Sequence, residues 1–343
     1  MSPRWIAALS LGAVLTASLG AHAADAPPTY KVTKTVPLGA PDRWDYVVFD
    51  PPSHRVYVAH GDTVSVVDGR DGHVIGKVEG IPGGTHGIGV SAATGKGYTD
   101  DGKAGEAVAF DLKTLKLGAH IPAADDADAI AVDPVTGHIF IVEGDPASVT
   151  VIDPKTDKAI ATINGGGKLE YAVADGRGHL FVNGAGKRDI VSINTRTNAV
   201  DAHWPIPDCA SPHGLAIDRA GHRLFVSCVN SLMTVLNADT GAVVASVPIG
   251  KGTDAAAYDP KRHLVFSSNG LDGTLSVIRQ TGPDTYVPAA TIPTAVSART
   301  MSIDPETGRL YIAALEMIPA TTPGGRGTPR PGTFRLMFLD PAN

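Results

Sequence analysis

The chain has 343 residues, 43% of them apolar and 19% charged, with 39 Gly, 26 Pro and a formal net charge of -6. So much Gly and Pro suits many short strands joined by tight turns and excludes a coiled coil or a helical bundle. The acidic balance, with no Lys/Arg stripe interleaved with aromatics, argues against a nucleic-acid partner, because a phosphate-tracking surface needs clustered cations.

The chain begins with MSPRWIAALSLGAVLTASLGAHA, which carries Arg4, an apolar core from Trp5 to Leu19 and the small-residue triplet Ala21, His22, Ala23. Residues 1–23 are predicted to be a secretory signal peptide whose apolar core is too short for a membrane anchor. The mature chain, 24–343, is expected to be periplasmic or secreted. No later apolar run is long enough to span a bilayer, so no transmembrane segment is expected there.

Next comes an alternating run, YKVTKTVPL, from Tyr30 to Leu38, and then the stretch that sets the pattern for everything after it. Tyr46 to Gly80 reads YVVFDPPSHRVYVAHGDTVSVVDGRDGHVIGKVEG, four short strands separated by turns. The same order returns from Ile130 and again from Leu215. The residues closing the first strand of each unit are Asp50, Ser91, Asp133, Asp175, Asp218, Asp259 and Asp304, spaced 41 to 45 residues apart. A period near forty with four strands per unit predicts an all-β, seven-bladed β-propeller in a single domain, 24–343. The seventh unit supplies RLYIAAL and FRLMFLD and then runs out of chain. Tyr30 to Leu38 is therefore predicted to complete the last blade, and ring closure removes exposed sheet edges.

Near the axis the blades approach most closely and small residues are expected; Gly87, Gly89, Ala129, Ala131, Gly214, Ala216, Ala255 and Ala257 fit. Tyr46, Val48 and Tyr171 are bulkier and are expected to narrow the channel. Between blades, Val56, Tyr57, Val58, Phe110, Phe140, Val151, Phe181, Phe225, Val235, Phe266, Val277, Tyr311 and Phe338 are the predicted core. Two cysteines fall in blade 5, Cys209 in the loop leading into it and Cys228 at the end of its second strand. They read as a disulfide in an oxidising compartment, the alternative being two buried thiols. If Ile217 pairs with Leu224, Cys228 faces His213.

The segments RVYVAHGDTVSVVDGRDGHVIG, RLFVSCVNSLMTVLNADTGAVV and RLYIAAL resemble the repeat of YncE-like or YVTN-type bacterial β-propellers. The resemblance covers Tyr30 to Asn343, with the aromatic-Val-x-Asn core of the repeat written here as YVAH, FVNG, FVSC and FSSN. It implies an extracytoplasmic propeller related in architecture to lactonases, streptogramin-type lyases and amine dehydrogenase subunits. Fold alone does not assign a function.

Five residues before each closing position stand Asp45, His86, Asp128, Glu170, His213, Asp254 and Arg299, all ionisable. They are expected to surround one mouth of the channel as a ligand-binding set, the alternative being plain solvation of a wet funnel. A second set on the same face would be His60, Asp100, Glu143, Asn183, Cys228, Asn269 and Glu316. Crowded carboxylates need a counter-charge, supplied by Arg299 or by a bound cation or cationic ligand.

The reading is a binding or scaffolding protein for a small molecule or an envelope partner. The alternative is a lyase or lactonase, with His86 or His213 as base and Arg299 stabilising an enolate or carboxylate. No cofactor motif is present, and the nucleophile elbow, Walker loop, HExxH and CxxCH signatures are absent. A divalent metal would find its most compact ligands in His60, His86 and Asp45; His86 and His213 belong to blades on opposite sides of the ring. Finally, residues 316–333, EMIPATTPGGRGTPRPGT, interrupt blade 7. They are either a tolerated insertion or a basic flap bearing Arg326 and Arg330 over the acidic mouth.

Overall fold

A computed structural model describes Met1 and residues 27–320 and 327–342. The signal-peptide segment lies outside the described residues apart from Met1. Every regular element among them is a strand, and no helix is long and apolar enough to cross a membrane.

Seven antiparallel four-stranded sheets make the seven blades. Blade 1 runs outward from Val47–Asp50 through Arg55–His60 and Thr63–Asp68 to Val74–Val78. Blades 2 to 6 repeat that order, each starting from an innermost strand: Ile88–Ser91, Ala127–Val132, Ala172–Ala174, Pro212–Asp218 and Thr253–Asp259. Blade 7 is built from Thr300–Ile303, Leu310–Ala314 and Arg335–Ala342, and its outermost strand is Thr29–Pro37 from the start of the chain. The closing register pairs Tyr30 with Pro341 and Pro37 with Arg335. Leu38 continues the pairing by donating its N–H to Phe334 O at 2.9 Å.

The repeated Asp has a mechanical reason. Its carboxylate accepts backbone N–H groups in the turn between the first and second strands: Asp133 from Thr136, Asp175 from Arg177, Asp218 from Ala220 and Gly221, Asp304 from Glu306. Such Asx caps satisfy donors that the turn takes out of the ladder. Ser91 serves blade 2 through a 2.9 Å hydrogen bond with Thr94 Oγ1. In the PVTG and PETG turns Gly137 and Gly308 take φ values of 77° and 79°, a left-handed conformation that costs Gly little.

A buried aromatic occupies the same place on the second strand of every blade: Tyr57, Tyr98, Phe140, Phe181, Phe225, Phe266 and Tyr311. Tyr98 was absent from the sequence-based core. All the residues that were in it are buried as well, each contributing on the order of 2 kcal/mol. Tyr30 of the closing strand packs edge-on against Phe266 at 5.2 Å, so closure also buries surface against blade 6. Gly87 and Gly89 mark the tight approach of blades 2 and 3. A Cβ on Gly87 would sit 2.4 Å from Asp128 O, and one on Gly89 would sit 2.7 Å from Ile130 Cγ2.

Cys209 and Cys228 form the disulfide, with Cα atoms 5.3 Å apart. Ile217 does pair with Leu224, but Cys228 lies opposite Pro212 rather than His213. The register shifts between Pro212 and Leu215, and that extra residue brings the bridge within reach. In blade 7, Met317–Ile318 pairs with Thr328–Pro329 as a small separate ribbon.

Candidate functional site

The backbone irregularity in blade 5 is one of several, and they coincide with the ionisable residues. Register shifts also bracket Asp128, between Ala127 and Ile130, and Asp254, between Thr253 and Ala255. In blade 1, Ala59 accepts from Asp45 N and donates to Tyr46 O; in blade 4, Asn183 bonds Glu170 N and Tyr171 O in the same way. Two residues thus oppose one, the arrangement by which a β-bulge re-aims a side chain at the end of a strand.

These residues share one electrostatic neighbourhood. Burial, then Asp128 and Asp254, push the Asp45 carboxyl up to about 8 against the pull of Arg299 and His86. Burial and Glu170 drive Asp128 well above the carboxylate range. Glu170 is raised to about 7 by burial, while Lys168 and a hydrogen bond with Asp128 hold it lower. The two carboxyls act on each other in opposite senses: Glu170 raises Asp128, and Asp128 lowers Glu170. Asp254 is raised by burial and held down by Arg299 and His213. The four carboxyl residues nevertheless keep some water-accessible surface. They are hemmed in by protein yet wet, as groups lining a narrow opening would be.

The cations are placed to match. Arg299 Nε lies 3.3 Å from Asp254 Oδ2, its Nη2 donates to Trp44 O at 3.4 Å, and its guanidinium sits 5.1 Å from the Trp44 ring centroid. His86 is held by fully buried Asp100: Oδ2 lies 2.7 Å from Nδ1, and Oδ1 accepts the backbone N–H of His86 and Gly87. Burial disfavours charge on His86, but Asp100, with Asp45 and Asp128, outweighs it and raises the imidazole to about 9. Arg43 Nη2 sits 2.8 Å from His86 Nε2, a contact that requires the neutral ring. Between the two, the buried carboxylate wins, because the exposed Arg43 side chain can swing away on protonation. His213 Nδ1 lies 3.2 Å from Ser211 O and 3.5 Å from Ser211 Oγ.

The second set does different work. His60 is buried, with Nδ1 2.9 Å from Ser65 Oγ and Nε2 2.5 Å from Pro41 O, and burial lowers its pKa. Asn183 donates to His213 O at 2.6 Å, Glu143 accepts from Ala124 N and Thr150 Oγ1, and Asn269 donates to Thr274 and Ser276. Asp100 and Asn183 brace His86 and His213, Cys228 is in the disulfide, and Glu316 pairs with Arg330 at 3.1 Å. Arg330 therefore answers a neighbour within the insertion; Arg326 lies outside the described residues.

The trio His60, His86 and Asp45 is not brought together as a metal site. Both His60 nitrogens are engaged by the protein, and among the described residues no group of three or more His, Cys, Asp or Glu is arranged to hold an ion.

Two of the bulkier residues expected to narrow the channel, Tyr46 and Tyr171, form the floor of the site. Tyr46 and Tyr171 follow Asp45 and Glu170 directly and meet across blades 1 and 4 with ring centroids 4.9 Å apart. The Asp-Tyr and Glu-Tyr dipeptides at equivalent positions were the available signal. Arg43 and Trp44, in the loop before blade 1, had none.

No protein-family model and no curated protein matches the chain. Among solved structures it is similar to Kuenenia stuttgartiensis hydrazine synthase, at 14% identity and a TM-score of 0.68, over 87% of this chain and 96% of that one. At that identity the likeness shows the fold alone, the β-propeller.

Proposed function

We propose that this chain is an extracytoplasmic propeller of the YncE-like kind that binds a small organic cation, an alkylammonium or similar amine, at the acid-lined mouth of its channel. The observation that carries the reading is the crowding of Asp45, Asp128, Glu170 and Asp254, all raised by burial and most of them by one another, with Arg299 ion-paired, among the described residues, to Asp254. A cation placed among them would relieve that repulsion, and the Tyr46 and Tyr171 rings beneath would offer π faces to an ammonium group. The disulfide is in keeping with a location outside the cytoplasm.

The test is calorimetric titration of the full chain with butylammonium and tetramethylammonium, using acetate as the control. Binding should strengthen from pH 6 to pH 8.5, as Glu170 and Asp45 ionise, and protons should be released on binding. Equal affinity for acetate, or affinity that falls over this pH range, would overturn the reading.

Lyase or lactonase chemistry is the second reading, favoured by one observation: Asp100 fixes the orientation of the His86 ring, which at its raised pKa would serve first as a general acid and as a base only toward pH 9. Turnover of a lactone by the chain that is lost in His86→Ala and in His213→Ala, but kept in an exposed-surface control variant, would promote it over simple binding.

A further inference from the structure

The Tyr46–Tyr171 contact divides the channel, and the half away from the carboxylates has a character of its own. It is a cavity of about 360 Å³ between the innermost strands of blades 1, 2, 3, 4, 5 and 7. Its walls include Val48, Val90, Ile130, Val132, Val173 and Ile217, all only half-buried. Branched apolar side chains are thus left facing a half-open space, and an apolar guest laid against them would release the water there. From Tyr46 to Asp50 the strand rises about 13 Å. The cavity volume, at the small end of the range for ligand pockets, suits a single alkyl chain or one ring.

Two charged residues line the cavity, while the other closing-position carboxylates at this end are spent on their own turns. Asp50 is committed to its turn, where its carboxylate accepts from Ser53 Oγ and from Ser53 N at 3.3 Å. Arg219, on the turn that follows the innermost strand of blade 5, is exposed and spends only Nε, which donates to Ala174 O at 3.0 Å. Among the described residues no carboxylate pairs with it. A cavity in the size range of small-ligand sites, its branched side chains interleaved with polar lining, therefore opens beside a guanidinium with no carboxylate partner among the described residues.

We propose that this half of the channel is a second binding site, for a slim amphipathic anion: a carboxylate or comparable acid head on Arg219, with a single alkyl chain or aromatic ring in the cavity. The site is independent of the cation reading above, since the Tyr pair lies between them.

Calorimetric titration of the full chain with decanoate, below its micelle concentration, tests it, with acetate as the tail-less comparison. Stoichiometric decanoate binding is expected, with acetate weaker by about tenfold or more. Arg219→Ala should weaken decanoate by about tenfold, equivalent to about 1.4 kcal/mol, and Val173→Phe, which fills the cavity, should abolish binding. Thermal unfolding establishes that each variant folds, and Val48→Phe replaces Val173→Phe should the latter not. Absence of saturable decanoate binding, or binding unchanged in either the charge variant or the cavity-filling variant, would overturn the proposal.

Discussion

The two ends of the propeller axis are made by the same seven strands and differ in almost every physical respect. At the start of the innermost strands, bulges and short loops turn Asp45, Asp128, Glu170 and Asp254 toward one another, and burial raises all of their pKa values. At the finish of those strands the equivalent carboxylates are spent on turn N–H groups, and a cavity walled by branched side chains, with Arg219 beside it, remains. The same residue type is a turn cap at one end and a strained charge at the other. Hydrogen bonding to the ionised form decides which: Asp175, which accepts from Arg177, Gly178 and His179, is held below the usual carboxylate range despite burial.

The sharpest way to break the comparison is to neutralise the acidic end. The double variant Asp45→Asn, Asp128→Asn should weaken ammonium binding about 100-fold at pH 8.5, in line with the coupling of close charge pairs, while decanoate binding persists; calorimetry reads both. Loss of both activities together would show that the ends are one site.

The next effect concerns what holds the acidic end in shape. Replacing both cysteines by Ser frees the loop that leads to His213, and the entropy of a closure spanning 19 residues predicts a loss of about 3 kcal/mol. Urea unfolding of the two proteins measures it, and an unchanged midpoint would refute it.

A subtler effect is the pH dependence of stability. Asp45 near 8 and Glu170 near 7 lie above their unfolded values of about 4. Between those limits the folded chain binds more protons than the unfolded one, so stability falls as pH rises through 7 and 8. His86, raised to about 9, acts in the same sense, because the stability it contributes at low pH is lost as pH rises through 9. The melting temperature of the ligand-free chain should therefore decline by several degrees from pH 5.5 to 9, with a shallower slope in Asp45→Asn. A rising or flat profile would contradict the charge crowding.

The smallest expected effect comes from Tyr46→Phe. It keeps the aromatic partition and removes a hydroxyl whose ionisation burial already suppresses. Ammonium affinity should change less than threefold, on the order of 0.6 kcal/mol, whereas Tyr46→Ala should open the partition and make the two titrations interfere.

The sequence by itself determined the blade count, the closing strand and the pairing face of each sheet, because strand alternation and turn capping are local rules that repeat every forty or so residues. It also located the candidate ionisable positions, since a repeat puts equivalent residues at equivalent heights. Only the tertiary structure decided which of them face one another, that Asp100 and Asn183 serve as braces, that His60 has no nitrogen to spare, and that two tyrosines divide the channel. Those outcomes depend on contacts between blades far apart in the chain and on single-residue register shifts, and no period in the sequence records either.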